Sequence, residues 1–220
     1  MLLDIHTHRQ LPQPEGIYSI CLGEEKIEFI DNQYYSLGIH PWTAARNGMA
    51  PEGMDEDLTE TLFNELEMNA GREDVLAIGE CGVDLGPKGG PLYKQLLLFK
   101  RHVALSEKIG KPLIIHEVKA HDIIAGARRD LKPAQNWAIH GFRRNAATAA
   151  MLLRAGCWIS FGPEFNVEAL QSMPSDLILA ETDASDLTIE EVIGRISAAR
   201  GEDMTEHIAA NTARFLGRGE

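Results

Sequence analysis

Six side chains able to bind divalent cations stand where apolar runs stop. His6 and His8 flank Thr7 after Leu2-Leu3-Asp4-Ile5, Glu80 follows Ile78-Gly79, His116 follows Ile114-Ile115, and His140 follows Ala138-Ile139. Asp183 ends Leu179-Ala180-Glu181-Thr182. Side chains two apart on an extended segment point the same way, so His6 and His8 can reach one ion. A lone HxH is commonly a surface pair and a lone histidine a hydrogen-bonded one. The repeated placement, each residue at the same point of its own apolar run, points instead to one metal site. Imidazoles with carboxylates suit Zn²⁺, Mn²⁺, Fe²⁺ or Co²⁺ rather than thiolate-held zinc or iron–sulfur clusters. The donors outnumber what one open tetrahedral zinc needs, which argues for two ions with Glu80 as the natural bridge. Ions so held acidify water for attack on carbon or phosphorus, and Asp183 is placed both to ligate and to take the proton. Hydrolysis is the expected reaction class.

These residues need strands to carry them. Short apolar runs at 2–6, 17–22, 34–39, 75–79, 112–116, 136–140, 157–161 and 176–180 read as eight strands. Segments of helical period at 91–109, 118–130, 145–155, 188–199 and 204–216 lie between and after the later ones. In 91–109 the apolar stripe runs through Leu92, Leu96, Phe99, Val103 and Ile109. Such alternation implies a parallel sheet with helical crossovers. Eight strands suggest a closed (β/α)₈ TIM barrel, in which the strands' C-terminal ends converge on one face. Such barrels typically run to roughly 250 residues, so 220 makes this a compact α/β version with abbreviated early units. Residues 17–42 leave room only for loops or a hairpin-like strand at 26–30, and an open doubly wound sheet is the alternative. No linker divides the chain, so residues 1–220 are expected to form one domain.

Composition narrows the classes. With 44% hydrophobic and 25% charged residues the chain is an ordinary globule. Its 21 Lys+Arg against 33 Asp+Glu give a net charge of −12, which argues against broad coating of nucleic acid but not against a nuclease with one metal-loaded pocket. Cys21, Cys81 and Cys157 form neither a CxxC pair nor an even framework, which fits a reducing cytosol. The first residues lack a signal-peptide pattern and no apolar run is long enough to span a bilayer, so a cytoplasmic location without membrane association is expected.

Seven stretches taken in order, Asp4-Ile5-His6-Thr7-His8, Gly38-Ile39-His40-Pro41-Trp42, Ala77-Ile78-Gly79-Glu80-Cys81-Gly82-Val83-Asp84, Lys111-Pro112-Leu113-Ile114-Ile115-His116, Ile139-His140-Gly141-Phe142, Glu181-Thr182-Asp183-Ala184 and Asn211-Thr212-Ala213-Arg214-Phe215-Leu216-Gly217, cover the chain from end to end. In these the chain resembles the TatD-type metal-dependent hydrolases. The resemblance implies a TIM barrel and two divalent metal ions, with Zn²⁺, Mn²⁺ and Mg²⁺ as choices. His6, His8 and Asp183 would hold one ion, His116 and His140 the other, and Glu80 would bridge, with Asp183 doubling as general base. It also implies ester-bond hydrolysis as a deoxyribonuclease trimming 3′ ends, with single-stranded or 3′-ended DNA as substrate; no obligate protein partner is evident. His40 is either a pocket residue touching phosphate or base, or a loop histidine packed on Trp42. Cys81 should face away from the ions, Asp84 and Glu181 are candidates to orient imidazoles, and His102, His121 and His207 fall on helices without a role.

Three departures from that pattern bear on substrate. Val118 stands where the family usually carries an arginine, and Lys119 beside it offers only a point charge. Arg143 and Arg144 follow Phe142 and either bind phosphate or form a solvated pair opening a helix. The loop after Asp183 is short. A small phosphoester, lactone or amide is therefore the alternative substrate class, and a non-catalytic barrel scaffold a third reading.

Overall fold

In the computed structural model, which describes residues 1–9, 16–46 and 56–218, eight parallel strands close into a barrel in the order of the sequence. They are β1 (Asp4–Thr7), β2 (Gly16–Cys21), β3 (Tyr34–Gly38), β4 (Val75–Asp84), β5 (Leu113–Val118), β6 (Trp137–Ile139), β7 (Trp158–Phe161) and β8 (Ile178–Ala180). The helices are α1 (Thr43–Arg46), α2 (Glu56–Ala70), α3 (Leu92–Ile109), α4 (His121–Leu131), α5 (Ala146–Arg154), α6 (Val167–Ser172), α7 (Ile189–Arg200) and α8 (Thr205–Phe215). The expected TIM barrel is the fold observed, and no helix separates β2 from β3.

The strands are nearly continuous apolar runs because both faces are covered. Leu113, Ile115, Trp137, Ile139, Ile178 and Ala180 face the helices, while Ile114, Ala138 and Leu179 join Ile5, Ala77 and Phe215 inside. Period two then decides the next inward position on three strands: His116 follows Ile114, His140 follows Ala138, and Glu181 follows Leu179. Strand β4 reaches the same end differently. Ile78 and Cys81 both face outward, so two residues stand between them where one is normal, and the pairing with β5 is irregular there. Such a bulge re-aims a side chain, here Glu80. Gly79 takes φ 144°, and at Gly38 a Cβ would come within 2.6 Å of the Glu80 carbonyl oxygen, so both positions need glycine.

The helices are held at their starts. Asn145 caps α5 through the Thr148 N–H, and Thr188 with Glu191 forms a capping box on α7, each worth about 1 kcal/mol. Asn211 of α8 donates to the carbonyls of Ser175 and Ile178, pinning the segment that enters β8.

Several sequence expectations are corrected. Residues 26–30 form no strand; only an isolated bridge between Leu22 and Glu25 lies nearby. Helices α1, α2 and α6 lie outside the expected segments, although Leu62, Phe63, Leu66 and Ala70 give α2 a buried stripe of ordinary spacing. The helix expected from residue 118 starts at His121, because Val118 still pairs with Asp84 in the sheet. On α3 the buried face holds Gln95, Leu98, Phe99, His102 and Val103, whereas Leu92 and Leu96 are exposed. Among the described residues no helix is long and apolar enough to cross a membrane.

Candidate metal centre

Glu80 is the hub of the cluster. It is buried, and its two carboxylate oxygens face different sets of imidazoles. Toward Oε2 stand His6 Nε2 and His8 Nε2, each at 3.5 Å, and the same two nitrogens lie 3.8 and 3.7 Å from Asp183 Oδ1. Toward Oε1 stand His116 Nδ1 at 2.7 Å, His140 Nε2 at 2.8 Å and His40 Nε2 at 3.1 Å. Strands β1, β4, β5 and β6 and the turn after β8 thus bring His6, His8, Glu80, His116, His140 and Asp183 together.

The donors fit a cation. Separations of 3.5–3.8 Å are long for hydrogen bonds and close to the roughly 3.4 Å between ligands that each lie about 2.1 Å from a tetrahedral ion. His6 is fully buried, and neither of its ring nitrogens has a hydrogen-bond partner. A buried unpaired imidazole is costly, and a ligand role would account for it. Four groups of three donors, each with ligand atoms within 4.8 Å of one another, meet here: His6–His8–Asp183, His6–Glu80–His140, His40–Glu80–His116 and His140–Glu181–Asp183.

Carboxylates behind the imidazoles set their orientation. His140 Nδ1 lies 3.4 Å from Glu181 Oε1, which also accepts the Gly141 N–H, and His116 Nε2 lies 3.2 Å from Asp84 Oδ2. A proton held on the far nitrogen leaves the near one free to ligate. Asp84 is itself fixed by the Trp42 indole N–H and the Gly86 N–H, and the Lys88 ammonium sits 4.2 Å over the Trp42 ring. Trp42 belongs to a stretch singled out in the sequence, but its contact with Asp84 and the place of Lys88 left no signal there, since nothing local joins residue 42 to residue 84. In Asp4, two backbone N–H groups, of His6 and Thr182, converge on Oδ1 beneath the site.

The charges follow from this packing. Burial works against the Glu80 carboxylate, yet His140 and the hydrogen bonds from His116, His140 and His40 hold it well below the usual range. Burial likewise opposes charge on His140, but Glu80 and Glu181 hold its imidazole well above the ordinary value. Burial and neighbouring His140 push His6 the other way, well below it.

His40 lies in the cluster. It is buried, and it also packs edge-on against Trp42 with ring centroids 4.6 Å apart. Its Nδ1 accepts the Trp42 backbone N–H at 3.1 Å, so in the neutral ring Nε2 carries the hydrogen and donates to Glu80. Beside His116, His140 and Asp183 opens a recess of about 300 Å³, walled also by Val118, Phe142, Arg143 and Arg144. Arg143 is exposed and paired with Glu164 at 2.9 Å. Lys119 is not brought to that recess; it is exposed, in left-handed conformation after β5 (φ 56°). Cys81 is buried facing the helices, as expected, and burial pushes its thiol up. A larger hollow of about 740 Å³ lies at the opposite end of the barrel around Tyr34, Arg72 and Asp74, far from these donors.

Comparison with known proteins gives the same picture. The family described as TatD related DNase matches residues 20–217. An uncharacterized metal-dependent hydrolase, YabD of Bacillus subtilis, is 28% identical over 178 residues, covering 77% of this chain and 66% of its own length. An uncharacterized metal-dependent hydrolase TatD of Mycobacterium tuberculosis is 29% identical over 168 residues, 70% of this chain and 59% of its own. The chain thus spans a little under two thirds of these relatives. Among solved structures, YjjV, a TatD homologue of Escherichia coli, superposes with a TM-score of 0.77 at 19% identity over 98% of both chains, a likeness of fold. The family match begins inside β2 and runs just past the last helix, and the chain belongs to the TatD related DNase family.

Proposed function

We propose that the chain is a metal-dependent hydrolase that cleaves phosphodiester bonds of DNA at or near a free 3′ end. The observation that carries this reading is the division of Glu80 between two donor sets, with His6 and His8, which also face Asp183, toward one oxygen and His116 and His140 toward the other. The first set would hold one divalent ion and the second another, with Glu80 shared. Bound there, Zn²⁺, Mn²⁺ or Mg²⁺ would supply acidified water and a polarised phosphoryl oxygen. Asp183 accepts the proton released at its carboxylate, which is part exposed and faces the recess. With the ions bound, Glu181 and Asp84 would keep a proton on the far nitrogens of His140 and His116, leaving those that face Glu80 free to ligate. Arg143 and Arg144 offer guanidinium donors to a phosphate in the recess, whereas Lys119 stands outside it on the loop after β5 and His40 has both ring nitrogens engaged, by the Trp42 N–H and by Glu80. The family's description as DNase supports the substrate. The three cysteines, free and buried, fit a reducing compartment.

The test is to strip the metal, reload Zn²⁺, Mn²⁺ or Mg²⁺, and compare 3′-overhang, 3′-recessed and closed circular DNA with simple phosphomonoesters and diesters. Cleavage that requires a free 3′ end is expected; equal cutting of closed circles would refute end recognition. A second reading, a small phosphoester, lactone or amide, is favoured by the modest recess with Val118 on its wall and by the net charge of −12. Salt separates the two, because a polymer held through several phosphates loses affinity steeply with ionic strength.

A further inference from the structure

The inward face of α3 carries three completely buried polar residues, Ser106 and, nearer the metal centre, Gln95 and His102. Seven residues apart, the latter two lie on the same side of the helix. Each holds the backbone at the exit of a strand that serves the metal centre. Gln95 accepts the Asp84 N–H at 2.7 Å and donates to the Asp84 carbonyl at 2.9 Å. His102 lies with Nδ1 2.8 Å from the Leu98 carbonyl of its own helix and with Nε2 3.0 Å from the Ile39 nitrogen. A carbonyl opposite Nδ1 requires a proton there, and an N–H opposite Nε2 requires a lone pair, so His102 is neutral in a single tautomer.

Ile39 is where the sheet stops supplying partners. The last registered pairs of β3 are Gly38 with Cys21 and Leu37 with Ile78. The next N–H along the chain goes to His102, and the residue after it is His40, whose Nε2 faces Glu80 Oε1 at 3.1 Å. A leucine would fill the space beside Phe63 without a polar atom to satisfy; the imidazole is explained by its one donor and one acceptor.

We propose that His102 is a positioning residue for the metal centre: by taking the Ile39 N–H it fixes the segment after β3, so that His40 donates to Glu80 and holds that carboxylate between its two donor sets. This rests on the reading of Glu80 as a metal ligand.

The test uses long-range ¹H–¹⁵N correlation spectra of the metal-free protein to assign histidine tautomers, together with Co²⁺ titration followed by absorption, in wild type, His102→Leu and His102→Gln. In wild type, His102 should appear as the Nδ1–H form and His40 as the Nε2–H form. His102→Leu should lose the single His40 tautomer and bind Co²⁺ about 10- to 100-fold more weakly. His102→Gln, whose amide can accept from Ile39 and donate to Leu98, should restore both. A wild-type His102 in the Nε2–H form overturns the proposal, as does a folded His102→Leu with unchanged His40 tautomer and Co²⁺ affinity. If His102→Leu does not fold, the wild-type tautomers and His102→Gln decide, and a Gln variant that loses the His40 tautomer counts against it. Wild type that takes up no Co²⁺ removes the metal reading, while the tautomers still test the link from His102 to His40.

Discussion

Thr7 and Asp183 form the last backbone bridge that closes the barrel, and that one pairing presents three donors. The Asp183 N–H donates to the His6 carbonyl and the His8 N–H donates to the Asp183 carbonyl, both at 3.0 Å. The first and last strands therefore place His6, His8 and Asp183 as one unit. Asp183 reaches this position in the left-handed region, at φ 53°, which asparagine tolerates at least as well as aspartate. Asp183→Asn should keep the fold and its melting temperature, with turnover down by about 10²- to 10⁴-fold from loss of the proton acceptor. Steady-state kinetics on a phosphodiester, beside circular dichroism and metal analysis, measures this. Unchanged turnover would take Asp183 out of the chemistry.

Glu181 acts through His140. Its Oε1 takes both the Gly141 N–H and His140 Nδ1, so replacing the carboxylate weakens the hold on the proton that keeps His140 Nε2 free. Glu181→Gln should lower metal affinity by about 10- to 100-fold while the protein stays folded. Competition with a chromogenic chelator gives the number, and wild-type affinity in the variant would make Glu181 a structural residue alone.

How far the sequence reveals this centre depends on the strand. His116 and His140 stand two residues beyond inward apolar residues, so an apolar run ending in histidine already states their direction. Glu80 is legible as a residue type, but not as an inward side chain of a strand that continues to Asp84; that needs the bulge at Gly79, which only the pairing with β5 reveals. The inward face of α3 was misread for a physical reason. Hydrophobic periodicity assigns polar residues to solvent, while Gln95 and His102 are inside because strand exits present unpaired backbone groups there. Trp42 with Asp84 is a contact between distant segments and leaves no local trace.

Asp4 gives the metal-free protein a dependence on pH. Burial, against hydrogen bonds from Thr182 and His6, pushes its carboxyl up to about 7 from 3.8. Between those values the folded chain holds a proton that the unfolded chain has released, so the Asp4 contribution to stability is fully present below about pH 4 and is lost as pH rises through about 7. The three-unit gap corresponds to roughly 4 kcal/mol at most. Urea midpoints of chelated wild type should therefore drop between pH 5 and pH 8 by more than those of Asp4→Asn, whose amide can donate to the Thr182 hydroxyl oxygen and carries no charge to bury. Parallel pH profiles for the two proteins would show that Asp4 is ionised at ordinary cost.

His6 makes metal removal a stability experiment. Its two buried nitrogens lack hydrogen-bond partners, so without a cation the imidazole is a cost of about 1–3 kcal/mol rather than a support. A metal at 100 times its dissociation constant contributes about 2.7 kcal/mol, which for a chain of this size raises the melting temperature by roughly 5–10 °C. Chelation should reverse that rise in the wild type. His6→Leu, similar in bulk and with nothing polar to bury, should lose the first of the two donor sets, so that added Zn²⁺ or Mn²⁺ raises its melting temperature less than that of the wild type, and in chelator it should melt no lower than the wild type. Differential scanning calorimetry with and without metal reads all four states. A His6→Leu protein that melts well below chelated wild type would mean that the imidazole supports the fold by itself, and that its empty hydrogen-bonding positions are not reserved for an ion.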